Sequence, residues 1–160
     1  MLEYPVYIHM PTEEGKPYLE NRSAAEAVIN AIINAQTDGW VRLHGFVVLP
    51  AALELVISPI RQGISGVVAH LQAETLPILS LLKPEAFLFW AQHYQHAIIE
   101  TQKALNDRID KMELSPVAAG LCSVPEAYPF SSANPRYQGY VQIVAGFAPL
   151  LPPDEDALRV

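Results

Sequence analysis

The sequence predicts an α+β fold, a ferredoxin-like sandwich with one antiparallel sheet and helices packed on one face. Three observations support this prediction. Strand-like and helix-like segments follow one another in the order strand, helix, strand, strand, helix, strand, helix. Hydrophobic residues make up 51% of the 160 residues, which is enough for the core of a single domain. The two middle strands are separated by only a short turn, so they are expected to pair as a hairpin.

The first strand and the first helix come from alternating and helical patterns near the N-terminus. Residues 4–10 alternate between apolar and polar side chains as a strand does. Ser23 and Glu26 have the spacing of a capping box, which predicts that a helix begins there. The apolar residues that follow recur on one helical face. Asp38-Gly39 predicts the end of this helix.

The middle of the chain is predicted to contain the hairpin and a second helix. Residues 40–49 and 53–58 are rich in β-branched and apolar side chains, which favour strands. Residues 64–71 then have apolar side chains at helical spacing. Pro77 is expected to break this second helix, because proline has no amide hydrogen to donate.

The last strand and helix of the domain follow. Residues 87–99 contain a strand with a bend near Gln92-His93. Thr101 is a predicted N-cap of a helix that should stop at Pro116, with Gly120 capping the turn beyond it. We therefore expect a domain over residues 1–133. Residues 134–160 have little helical signal and an acidic end, so they are predicted to form a C-terminal arm or tail.

Charge and cysteine content limit the classes of function. The net charge is −7 and the ten basic residues are scattered along the sequence, which is unlike the clustered basic residues of most nucleic-acid-binding proteins. A single cysteine, Cys122, precludes an internal disulfide and favours a cytoplasmic location. No uninterrupted apolar run is long enough to cross a bilayer, and the N-terminus has no signal-peptide pattern, so no membrane partner is expected.

Three motifs resemble one known family. They are Arg42-Leu-His-Gly-Phe-Val-Val-Leu-Pro50, Ser115-Pro-Val-Ala-Ala-Gly-Leu121 and Pro125-Glu-Ala-Tyr-Pro-Phe-Ser-Ser-Ala133. They are similar to motifs of the REP-associated tyrosine transposases, which belong to the single-tyrosine, His-hydrophobe-His transposases of insertion sequences. The resemblance covers roughly residues 4–133. It implies DNA transposition as the ancestral process, single-stranded or hairpin DNA as a partner, and a homodimer.

The chemistry of that family needs groups that this chain lacks. The resemblance implies a pair of histidines that hold a divalent metal, a nucleophilic tyrosine on a nearby helix, and a polar metal ligand one turn after it. The corresponding positions here hold Ala52 and Glu54, then Lys111, then Ser115. We therefore expect a degenerate member of the family with no catalytic residue, no bound cofactor and no metal site. A lysine amine, with an ordinary pKa near 10.4, is protonated at neutral pH and cannot replace the tyrosine.

Other candidate residues are interpreted as structural. They are the histidines His9, His44, His70, His93 and His96, the tyrosines Tyr94 and Tyr128, and Cys122. Three functions remain open at this point. The first is a DNA-binding domain of the transposase lineage that has lost catalysis. The second is a domesticated protein- or ligand-binding module with no nucleic-acid role, which the acidic charge favours. The third is an enzyme that uses a different set of residues.

Overall fold

The computed structural model describes residues 4–86 and 88–142, and in this part of the chain the elements follow the predicted order. The strands are β1 (Val6–Pro11), β2 (Val41–Leu49), β3 (Ala52–Pro59) and β4 (Gln95–Ile98). The helices are α1 (Arg22–Thr37), α2 (Ile64–Leu82) and α3 (Gln102–Ala118). Short 3₁₀ turns are Glu13–Gly15, Pro125–Ala127 and Pro135–Tyr140. The strands form one antiparallel sheet in the order β2-β3-β1-β4, which confirms the α+β fold with ferredoxin-like strand order.

The strand β3 has apolar side chains on both of its faces. Leu53, Leu55 and Ile57 belong to the larger core, which they share with α1 and α2. Val56 belongs to a second core, which includes Leu105 and Met112 of α3. Because successive side chains of a strand point to opposite faces, α3 lies on the other side of the sheet from α1 and α2.

The expectation that the helices pack on one face is therefore wrong for α3. Val47 in β2 and Val56 in β3 are completely buried on the face that α3 covers. Burial of apolar side chains away from water is favourable on that face of the sheet, just as it is on the opposite face. The α3 helix, together with Tyr128 from the segment that follows it, supplies this cover.

A β-bulge at His44 and Gly45 brings α3 close to the sheet. The register between β2 and β3 shifts between Leu43 and Gly45. A Cβ atom added at Gly45 would lie 3.0 Å from Met112 Cε and 3.4 Å from Ser132 Oγ. A larger residue there would push against α3, so this glycine permits the close approach of the helix.

The start of α1 differs from the prediction. The N-cap is Asn21, whose side-chain oxygen accepts a hydrogen bond of 3.1 Å from the amide of Ala24. Ser23 lies inside the first turn, and the predicted capping box with Glu26 is not formed. Asparagine and serine are comparable N-caps, so the two candidates could not be separated by residue type alone. The predicted N-cap of α3 is confirmed, since Thr101 Oγ1 accepts from the amide of Ala104 at 3.0 Å.

Both helical prolines lie within helices rather than ending them. Pro77 is exposed within α2, and the carbonyl of residue 73 that it leaves without a donor is near solvent. Pro116 lies in the last turns of α3. The carbonyl of Met112, which would have received an amide hydrogen bond from residue 116, accepts one from Ser115 Oγ at 2.6 Å instead. The helix ends at Ala118, two residues beyond the predicted stop at Pro116, and Gly120 follows it with a positive φ of 77°, as expected for a capping glycine.

The described part of the predicted arm packs against the domain. Tyr137 belongs to the larger core, and the amide of Gln142 donates to the carbonyl of Leu43 at 2.7 Å. Ser132 and Phe130 also hydrogen-bond to the outer edge of β2. Residues 134–142 therefore contact the domain directly, and the division of the chain at residue 133 stays a prediction. Residues 143–160 lie outside the described residues, as does Phe87, the first residue of the segment predicted to contain β4.

Among the described helices, α2 has the length and composition of a membrane-crossing helix, with a mean hydropathy of 1.2 over 18 residues. The expectation that no uninterrupted apolar run is long enough is not contradicted, because His70, Gln72 and Glu74 interrupt this helix. The same test is passed by core helices, and five residues of α2 are buried on the face that packs against the rest of the domain, namely Val67, Val68, Leu71, Thr75 and Leu79. The indole of Trp90 also donates to Thr75 Oγ1 at 3.0 Å.

The N-cap of α1 can be tested with two alanine substitutions. Asn21→Ala should lower the free energy of unfolding by about 1 kcal/mol, because the amide of Ala24 loses its acceptor. Ser23→Ala, the matched control two residues later, should change it by a few tenths at most, since alanine is a good helix former. Urea unfolding followed by circular dichroism measures both. A larger loss for Ser23→Ala than for Asn21→Ala would show that the capping box forms after all.

Candidate functional site

Three of the four degenerate family positions come together in the structure. Glu54 in β3 and Lys111 and Ser115 in α3 line one small cavity of about 170 Å³. Lys111 and Ser115 are one helical turn apart and therefore share a face of α3. Ala52 does not line this cavity. It is buried at the start of β3, where it pairs with Leu49 and Pro11.

The carboxylate of Glu54 is paired with a histidine that sequence reasoning left without a partner. His9 Nδ1 lies 3.0 Å from Glu54 Oε2, and both side chains are mostly buried. The two residues are direct partners in the β1–β3 register, although 45 positions separate them. No local pattern reveals this pair. Only the strand register places two side chains on the same face opposite each other.

Tyr7 and Arg108 complete the wall of the cavity. The Arg108 guanidinium lies over the Tyr7 ring, 4.0 Å from its centre, in a cation–π contact. Burial, followed by the negative charge of Glu54, raises the pKa of Tyr7 from 10.0 to about 12, while Arg108 acts in the opposite direction. The phenol therefore stays protonated at neutral pH. Neither Tyr7 nor Arg108 lies in a recognisable motif, so the sequence carries no local signal for either residue.

These residues do not fit a divalent metal site. Within residues 4–86 and 88–142, no group of three or more His, Cys, Asp or Glu side chains is placed to hold a metal ion. The carboxylate of Glu54 is bonded to His9, which does not itself line the cavity. The Ser115 hydroxyl donates to the carbonyl of Met112. Both candidate ligand groups therefore already have hydrogen-bond partners within the protein.

The other candidate residues lie in structural settings or at the surface. His44 bonds to the carbonyl of Gln142 at 2.7 Å and to Ser58 Oγ at 2.8 Å, and burial lowers its pKa below the ordinary value of 6.5. The Tyr128 hydroxyl donates to the carbonyl of Val48 at 2.7 Å, and burial raises its pKa to about 12. His70 stacks on Trp40, with ring centres 3.9 Å apart.

The remaining candidates lie around β4 and after α3. His93 and His96 are exposed, and His96 lies in β4 beside the ring of Tyr94 at 6.0 Å. Because β4 is a strand, the three-residue spacing of the two histidines does not place them on one helical face as a metal pair would need. Cys122 is a free, partly buried thiol.

The two flanks of α3 carry opposite charges. Arg108 and Lys111 border the cavity beside β1 and β3. Asp110 and Glu113 instead line a groove on the far side of the helix, facing the 3₁₀ segments. A helix turns by 100° per residue, so charges at these positions necessarily divide between two sides.

Comparisons with known proteins find similar structures. A REP-associated tyrosine transposase bound to a REP hairpin superposes with a TM-score of 0.68 at 16% sequence identity, over 91% of this chain and 87% of that one. A protein assigned as a transposase from Deinococcus radiodurans R1 has a TM-score of 0.54 at 13% identity, over 69% of this chain and 88% of that one. No protein-family model and no curated protein matches the sequence. This chain has the fold of these transposases, which confirms the structural side of the resemblance.

The raised pKa of Tyr7 makes the cavity testable at high pH. In the folded protein labelled at the tyrosine Cζ, NMR titration should show Tyr7 ionising near pH 12. Because an unfolded tyrosine ionises near 10, the stability that neutral Tyr7 provides is present below pH 10 and is lost as pH rises toward 12.

The substitution Glu54→Gln should lower the pKa of Tyr7, because it removes a negative charge that opposes formation of the phenolate. Tyr128 serves as an internal control, since its pKa is raised by burial on another part of the protein and should not change. An ordinary pKa for Tyr7, or an equal change at Tyr128, would contradict the geometry of the cavity.

Proposed function

We propose that this protein is a transposase-lineage domain that binds single-stranded or hairpin DNA without cutting it. The observation that carries the proposal is the cavity at the family's catalytic positions, where Glu54, Lys111 and Ser115 converge in a fold shared with a hairpin-bound transposase. The shared fold supports an origin in the transposase lineage. The residues at the family's catalytic positions support the loss of DNA cleavage. The two cations at the cavity support retention of contacts with phosphate.

Cleavage through a phosphotyrosine intermediate needs a tyrosine that ionises easily as it attacks. The nucleophile position holds Lys111, and Tyr7 is the one tyrosine lining the cavity among the described residues. Its pKa of about 12, raised by burial and by Glu54, opposes attack by the phenol oxygen, although Arg108 acts in the other direction. The cavity also lacks the pair of histidines with which the family is expected to hold its metal.

Phosphate binding would rest on a small basic area rather than on the whole surface. Arg108 and Lys111 lie on the flank of α3 that faces β1, in the cavity that Tyr7 also lines. The net charge of −7 makes contacts elsewhere unfavourable. The expected mode is therefore local contact with one or two phosphates, which gives modest affinity and a shallow dependence on salt.

A second function, a protein- or ligand-binding module with no nucleic-acid role, is supported by the acidic groove on the far flank of α3. The overall charge favours it as well. The family resemblance also leads us to propose a homodimer, which sedimentation velocity tests directly. The single cysteine underlies our proposal of a cytoplasmic location.

DNA binding is tested by fluorescence anisotropy with a labelled DNA hairpin that carries a single-stranded extension, at several salt concentrations. We expect binding that weakens as salt rises. The variant Arg108→Gln/Lys111→Gln should reduce the slope of log affinity against log salt by about 1 to 2, because each lost phosphate contact removes roughly 0.9.

The matched control is Arg22→Gln/Lys83→Gln, which removes the same charge at α1 and at the end of α2, on the opposite side of the sheet. It should leave the slope nearly unchanged. If the protein does not bind the DNA hairpin even at low salt, the DNA-binding function is rejected in favour of the protein- or ligand-binding module. Equal effects of the two double variants would reject the proposed surface.

Loss of cleavage is tested separately by incubating the hairpin with the protein and Mg²⁺ or Mn²⁺. We expect no nicked product and no covalent protein–DNA adduct on a denaturing gel. An adduct that disappears in Tyr7→Phe would show that this tyrosine is a relocated nucleophile. An adduct that survives Tyr7→Phe would place the nucleophile elsewhere, and either result would reject the proposed inactivity.

A further inference from the structure

A groove of about 780 Å³ lies on the flank of α3 away from the family positions. One wall is α3, and the other consists of residues from the segment that returns across the domain. The α3 wall extends from Gln102 to Leu114, and the other wall includes Glu126 and Val141. The proposed DNA contacts, Arg108 and Lys111, do not line it.

The shape of the groove suits a short stretch of extended chain. It follows α3 from Gln102 to Leu114, which at 1.5 Å per residue is roughly 18 Å. An extended peptide advances about 3.3 to 3.6 Å per residue, so roughly five residues fill that length. A single small cation would leave most of the space to water.

The groove also has an apolar component. Ile109 and Leu105 lie on its α3 wall, and Leu114, also on that wall, is 49% exposed. Val141 contributes apolar surface from the opposite wall. Burying such side chains against a partner is favourable in proportion to the apolar area removed from water.

Carboxylates occur on both walls. Asp110 and Glu113 come from α3, and Glu126 comes from the 3₁₀ turn Pro125–Ala127. Burial, together with the charges of Asp110 and Glu126, raises the pKa of Glu113, while a hydrogen bond of 2.6 Å from Ser132 opposes this. No lysine or arginine lines the groove within the described ranges, and His44 there is kept neutral by burial.

We propose that this groove binds an extended segment of a partner protein in which lysine or arginine alternates with apolar residues. Alternate side chains of an extended chain point to opposite sides, so one set contacts Ile109 and Leu114 and the other contacts the carboxylates. The charge of the groove repels DNA and acidic segments, which decides between the possible occupants. This site goes beyond the proposed DNA binding and lies on the other flank of the same helix.

The probe is a fluorescein-labelled hexapeptide, blocked at both ends, of alternating arginine and leucine. Two comparison peptides replace arginine with glutamate or place the three arginines before the three leucines. Anisotropy with the full-length protein should show saturable binding of the alternating peptide, no binding of the glutamate peptide, and weaker binding of the block peptide.

The informative variant is Asp110→Asn/Glu126→Gln. Both side chains are exposed, so folding should be unaffected, and the affinity for the alternating peptide should fall about fivefold, as expected for the loss of exposed charge pairs. Glu20→Gln/Glu85→Gln removes the same charge from exposed residues that do not line the groove and should bind as wild type. Leu114→Asn should weaken binding without changing the net charge.

Three results would overturn the proposal. They are wild-type affinity in Asp110→Asn/Glu126→Gln, equal affinity for the alternating and block peptides, and a concentration-dependent dimer that this double variant abolishes, which would identify a second copy as the occupant. Hairpin DNA binding should not weaken in Asp110→Asn/Glu126→Gln. Failure of the peptide experiment is therefore distinguishable from failure of the DNA experiment.

Discussion

The position of β3 constrains the rest of this molecule. It is hydrogen-bonded to β2 and β1 on its two edges and covered by helices on both faces, so almost every side chain it carries is buried. Leu53, Leu55 and Ile57 need α1 and α2, and Val56 needs α3. The strict alternation of a strand leaves no freedom in this division. Glu54, an ionisable residue between leucines, is thereby fixed on the α3 side.

A mostly buried carboxylate is costly unless it is paired, and the surroundings of Glu54 meet that requirement. His9 bonds to it from β1, and Arg108 and Lys111 line the same cavity. The fold therefore holds this carboxylate beside one hydrogen-bonded partner and two positive charges, which lowers the cost of its burial.

The sequence predicts the structural features that depend on neighbouring residues. It does not predict those that depend on residues far apart in the chain. A few neighbouring residues determine the order of the elements, the hairpin, the Thr101 cap and the glycine turn at Gly120 that follows α3. The side of the sheet that α3 covers does not depend on neighbouring residues alone. Helical spacing shows which face of a helix is apolar, but it does not show which surface that face contacts. The pairing of His9 with Glu54 depends on strand register. Pro116 was misjudged because the compensating hydrogen bond comes from a side chain, that of Ser115.

Because the two flanks of α3 carry opposite charges, the proposed contacts with phosphate are compatible with the acidic net charge of the protein. A helix with its side chains is about 10 Å across, and at physiological ionic strength charges are screened over about 8 Å. Asp110 and Glu113 therefore have little effect on a phosphate placed near Arg108 and Lys111. The net charge of −7 describes long-range behaviour, whereas binding depends on the charges within one screening length. Under the two proposals, one helix presents a basic edge to nucleic acid and an acidic groove to a protein, and its buried face fixes the position of both.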